Sequence, residues 1–224
     1  MGLTLHIIAE RRVNGLWEVV LAPGAKLEPC RDRQHEEMRR SYKCYHCGNC
    51  NVEPSQWWRG RTWNGTFEAM LDGGREDDPW DHLDHHGVID KLPDLSVKGI
   101  VPHRELPTDL SKIGASWERA CDDAEHGNGW ATLAELQAFD WQATFWRDAY
   151  IEVGVHAAWV AGGKVGPPTP NPPRVGKDEP EMVRDAWQET YAEAAEGFYE
   201  LLPQLAAATV PVAPEDVRII WWRH

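Results

Sequence analysis

An Asn-Gly pair set between two alternating apolar runs is the strongest structural signal in this 224-residue chain. Leu3, Leu5 and Ile7 alternate with their neighbours, and Trp17, Val19 and Leu21 do so on the return. Between them Val13-Asn14-Gly15-Leu16 supplies two residues that tolerate positive φ, as a type I′ turn requires. A β-hairpin is therefore predicted at the start of the chain. The segment Val217–Trp222 is rich in β-branched and aromatic residues, reads as a strand and is expected to join the hairpin in one sheet.

Between these ends the pattern is mixed. A short helix is expected over 61–72, with Phe67, Met70 and Leu71 as its apolar face, followed by a long ordered loop from Gly73 to Leu110. Helical spacing returns near Ser116. Thr132-Leu-Ala-Glu135 matches a capping box, in which the hydroxyl and the carboxylate each satisfy an orphan N–H. A helix or broken pair is predicted from Thr132 to about Ala161, carried by Leu133, Leu136, Phe139, Trp146, Tyr150 and Val153. Residues 162–180 form a Pro-rich loop. A second helix is predicted over 181–202 with Trp187, Ala194, Phe198 and Leu201 facing inward, interrupted at Pro203. The pattern does not alternate strand and helix, so the expected fold class is α+β: a small antiparallel sheet containing both termini, packed by two or three helices. Residues 1–224 read as one domain, with 30–60 a Cys-rich zinc-binding insertion.

Four of five cysteines fall between Cys30 and Cys50. Cys44-Tyr-His-Cys47-Gly-Asn-Cys50 puts thiols at the spacing of a zinc knuckle, and Cys30 supplies a fourth ligand to a closed structural site. His35 and His46 are alternates for any one of them. Iron–sulfur ligation is the rival, although Pro54 stands where the fourth cysteine of a ferredoxin run would fall. Free loop thiols are the plainest alternative. A second concentration, Asp81, His82, Asp84, His85 and His86, has ligand types suited to a second divalent metal, with His126 as a further ligand or base. His82-Leu-Asp84-His85 resembles half of a metallo-β-lactamase motif, with Trp80 where its first His belongs. Asp81-His82 downstream of Cys47-Gly48 resembles an HNH nuclease arrangement. A solvated acidic loop remains the favoured reading of this segment.

Charge narrows the function classes. Lys and Arg number 23 against 36 Asp and Glu, a formal net charge of −13, which argues against a chain built to grip nucleic acid. The basic run Arg31–Lys43 beside Trp57 and Trp58 offers charge and stacking, but its interleaved acids favour a solvated helix face. No apolar run reaches the roughly 18 residues of a membrane span. No secretory leader is read at the N-terminus, and a cytoplasmic site is expected. No phosphate-binding loop or nucleophile elbow occurs. Lone Cys121 near His126 reads as packing. Thirteen Trp are more than a core of this size needs, so Trp57 and Trp58 are taken as binding candidates.

Several segments resemble a family of small uncharacterised α+β proteins encoded by actinobacterial phages and prophages. They are the opening Met-Gly-Leu hairpin with Gly15-Leu16-Trp17-Glu18, Gly60–Phe67, Glu105-Leu106-Pro107-Thr108-Asp109-Leu110-Ser111, His126–Leu136 and Val217–Trp222. Asn128 departs from the family's paired histidines. The resemblance implies a phage origin in an infected bacterial cytoplasm. The expected function is a zinc-stabilised accessory protein that binds a host protein or small molecule without catalysis. A metal-dependent hydrolase or HNH-like nuclease, and a virion-associated structural protein, are the alternatives.

Overall fold

The computed structural model describes residues 3–23, 56–62, 65–75, 93–111, 114–115, 128–164, 166, 168, 181–195 and 197–223. In chain order they form β1 (Leu3–Val13), β2 (Leu16–Val20), β3 (Gln56–Thr62), α1 (Gly65–Leu71), β4 (Gly74–Arg75), β5 (Val97–Lys98) and β6 (Asn128–Thr132). Then follow α2 (Leu133–Ala138), β7 (Thr144–Glu152), α3 (Val153–Ala161), β8 (Met182–Thr190), α4 (Tyr191–Ala194), α5 (Phe198–Thr209), a 3₁₀ turn (Pro214–Asp216) and β9 (Val217–Arg223). Asn14 and Gly15 take φ of 51° and 82°, the left-handed values that the predicted turn demands.

β1 organises the main sheet. β2 pairs with its second half and β3 with its first half, while β9 lies along the other side and carries β6 beyond it, all antiparallel. The expectation that both terminal segments share a sheet is met. Gln56–Gly60, counted with the Cys-rich insertion, are therefore part of this sheet.

Strand alternation gives the sheet two different faces. Leu5, Ile7 and Ala9 of β1 and Val217, Ile219 and Trp221 of β9 join the main core with α1, α2 and α5. Trp221 lies opposite Gly129, and a Cβ there would come within 2.7 Å of the indole, so only glycine fits. On the other face Ile8, Ile220 and Trp222 pack against Leu106, Leu110 and Trp130. The segment 101–111 thus straps the outer face.

Glu10 and Arg218 hold that strap. They face each other across β1 and β9. Glu10 Oε2 accepts from Arg218 Nε at 2.9 Å and Nη2 at 2.7 Å, and Oε1 accepts the Ser111 amide at 2.9 Å. The guanidinium also donates to Asp109 Oδ1 at 2.7 Å and to the Asp109 carbonyl at 3.0 Å, and sits 3.9 Å from the Trp17 ring centroid. The Arg218 hydrogen bond, strengthened by that of the Trp17 indole, holds the Asp109 carboxyl below its ordinary range.

Three expectations fail. Residues 144–152 are strand β7, not helix, and α2 ends at Ala138. Trp146 and Tyr150, four apart, lie on one side of a helix and equally on one face of a strand, so their spacing does not discriminate. Residues 182–190 are likewise strand β8, which pairs with β7 along its whole length. The next helix begins at a second capping box, Thr190–Glu193, with the same pattern as Thr132–Glu135. Finally, Pro203 does not interrupt α5 but sits within it on the exposed side, while Phe198, Leu202, Leu205 and Thr209 form the buried stripe. Burial of that stripe outweighs the missing backbone bond.

Candidate binding surfaces

All of the metal ligands named from sequence lie outside the described residues: Cys30, His35, Cys44, His46, Cys47 and Cys50, and also Asp81, His82, Asp84, His85, His86 and His126. Among the described residues no three His, Cys, Asp or Glu side chains converge as a metal site would need. Trp57 and Trp58 belong to β3; Trp58 pairs with Ile7, and Trp57 falls where the register shifts between Ile7 and Ile8. Among the described residues no helix is long and apolar enough to cross a membrane.

Two surfaces do stand out. The first is a groove of about 730 Å³ where β4 and β5 cross. Its floor is buried Val97, Ile100, Val101 and Tyr191; Gly73, Lys98 and Pro102 are exposed at its rim. The crossing depends on glycine. A Cβ on Gly99 would lie 2.1 Å from the Gly73 carbonyl carbon, and one on Gly74 would lie 2.5 Å from the Val97 oxygen. Gly73 and Gly74 also hold φ of 95° and 103°. Tyr191 reaches this groove because Thr190 caps α4, turning the chain from β8 so that its first residue points inward. Its hydroxyl oxygen accepts the Lys98 amide at 3.0 Å, and its ring packs against Phe145 and Phe139.

The second surface is the ribbon of β7 and β8 with α3 laid on it. Asp185 of β8 clamps the helix: it accepts from His156 Nε2 at 2.8 Å and also from Lys164, just past the helix end. Burial pulls the Asp185 pKa upward, but the hydrogen bonds from Lys164, His156 and the Ala186 amide prevail and hold it low. Trp159 meets Trp187 edge-to-face at 6.1 Å and donates its indole N–H to the Gly166 carbonyl at 2.9 Å. Further along, Arg147 pairs with Glu189 and Arg184 with Asp148, stiffening the ribbon across its strands.

The helix so fixed is unusual in composition. Val153–Ala161 contains one polar side chain, His156, which faces Asp185, and none of its nine residues is buried. Val153 is 39% and Val160 44% exposed. Sequence reasoning missed both surfaces. The uncharged Val-Gly-Val-His-Ala-Ala-Trp-Val-Ala run was itself a signal, since an amphipathic surface helix carries charge on its outer side. Comparison with family models, with curated proteins and with solved structures returns no match.

Proposed function

We propose that this chain is a phage-encoded accessory protein that works by binding, without catalysis, and that a host protein docks on α3 in the cytoplasm of the infected cell. The observation that carries this reading is the apolar helix with no buried residue, clamped in place by Asp185, His156 and Lys164. Apolar area left in water forgoes roughly 25 cal/mol per Å² of stabilisation, which a partner restores on docking. A closed zinc site formed by Cys30, Cys44, Cys47 and Cys50 would add stability without supplying chemistry.

The test compares tagged wild type with Val153→Asp/Val160→Asp, expressed in an actinobacterial host, by quantitative affinity enrichment and reciprocal tagging. A host protein bound directly by wild type and lost in the double variant, at unchanged thermal stability, is the expected result. Equal recovery by both forms would overturn docking on α3.

The alternative, a metal-dependent hydrolase, would use Asp81, His82, Asp84, His85 and His86, which lie outside the described residues. Elemental analysis before and after chelation separates the readings: one ion that resists removal fits the accessory protein, whereas a second, exchangeable ion lost in His82→Ala/His85→Ala fits the hydrolase.

A further inference from the structure

The β4–β5 groove has features that a packing defect does not need. Its volume of about 730 Å³ falls within the range of small-molecule sites. Its floor is apolar, and Tyr191 and Lys98 bring polar groups to its lining. Tyr191 is buried, and its hydroxyl oxygen already accepts the Lys98 amide; its own proton has no acceptor among the described residues. The Lys98 ammonium stands 5.8 Å from the Phe139 ring centroid and has no carboxylate partner among the described residues. Among the described residues, then, Lys98 is an exposed positive charge beside an apolar cleft with no carboxylate against it, in a chain of net charge −13. The close backbone approaches at Gly73, Gly74 and Gly99 leave no room for a Cβ and fix the backbone that lines the groove.

We infer that this groove binds a small monocarboxylate with an apolar body, its carboxylate held by Lys98 Nζ and the Tyr191 hydroxyl and its body on Val97, Ile100 and Val101. The charge count selects the class. One ammonium and one neutral donor match a single negative charge, and a doubly charged phosphate in this acidic field would keep an unpaired charge. A neutral ligand would leave Lys98 unused. This site is independent of the docking helix, so either proposal can fail alone.

The test is a ¹H–¹⁵N titration of the full chain with octanoate, octanamide and octyl phosphate to about 10 mM, which detects affinities weaker than 1 mM. The expected result is saturable shifts centred on the Gly73, Gly74, Gly99 and Val101 amides with octanoate, and binding about tenfold or more weaker for the amide and the phosphate. Lys98→Met, a change at an exposed side chain, is expected to weaken octanoate by a similar factor while leaving the remaining spectrum intact. Tyr191→Phe should also weaken it. Val153→Asp/Val160→Asp should bind octanoate as wild type does. Absence of shifts at those glycines, equal binding of octanamide, or undiminished binding by Lys98→Met would overturn the assignment. A peptide with a C-terminal leucine carboxylate outcompeting octanoate would overturn the small-molecule source.

Discussion

Arg218→Met offers a sharp test of how the strap is held. Glu10 is 0% and Arg218 2% exposed, so the pair is withdrawn from water and its hydrogen bonds replace hydration. Methionine keeps the side chain's length and removes every donor. Among the described residues Glu10 would then keep only the Ser111 amide, and a buried carboxylate would lose its counter-charge there. Breaking one partner of a buried pair costs about 3–5 kcal/mol. Asp109, 63% exposed, rehydrates and adds little. Losing the guanidinium over Trp17 adds on the order of 0.5–1 kcal/mol. At roughly 2–4 °C per kcal/mol for a chain of this size, the melting temperature should fall by about 10 °C or somewhat more.

Glu10→Leu/Arg218→Met separates a charge effect from a packing effect. Both new side chains would extend the apolar patch of Ile8 and Ile220, and removing the two charges together removes the uncompensated one. The double variant should recover most of what the single variant loses. Equilibrium urea unfolding with an unchanged m value is the assay. If Arg218→Met lies within about 1 kcal/mol of wild type, or if the two substitutions simply add, the pair does not hold the strap.

Further outcomes follow from local geometry. Gly129→Ala should destabilise by about 1–3 kcal/mol, because the Trp221 indole must move from a packed position; near-wild-type urea unfolding would contradict this. Thr190→Ala should cost about 1 kcal/mol by removing the acceptor for the Glu193 amide, and serine in its place should restore most of the loss. Glu135 has its pKa lowered to about 2, first by the hydrogen bonds from Arg104. A depressed carboxylate stabilises above its unfolded pKa and loses that contribution as pH falls through the folded value. The stability gap between wild type and Glu135→Gln should therefore be full above about pH 4.5 and close towards pH 2 in acid unfolding. Cys47→Ser should lose bound zinc and thermal stability together; unchanged metal content and melting would remove the structural zinc proposal.

What the sequence makes legible here is local. Asn14-Gly15 and Thr132–Glu135 each specify a conformation within four residues, and both form as expected. The two-strand ribbon is not legible, because Trp146 and Tyr150 satisfy either period and neither run contains a breaker. Thr190–Glu193 carries the same capping signal as Thr132–Glu135, but it lies inside a run whose apolar spacing also suits a helix. The groove and the buried pair depend on chain crossings. Gly99 needs to be glycine because a Cβ there would lie 2.1 Å from the Gly73 backbone, and Glu10 needs its charge because a residue 208 positions later faces it. No window along the chain contains both members of either relation.

The same crossings bring separate features into mechanical contact. The segment 93–111 forms the groove wall at Val97–Pro102 and the outer strap at Leu106–Ser111, where Arg218 and Glu10 anchor it. Tyr191 follows β8 directly, places its hydroxyl in the groove, and stacks on Phe145 of β7 at 4.8 Å between ring centroids. The base of the ribbon and the floor of the groove therefore share a residue. The helix proposed to dock a partner begins at the far end of that ribbon and packs back over it as far as Trp187, four residues before Tyr191. Tyr191→Phe changes one hydroxyl while leaving the Phe145 stack and the Asp185 clamp in place. Such a variant should lose octanoate affinity and keep α3 docking; joint loss of both would mean that the ribbon transmits the state of the groove to the helix.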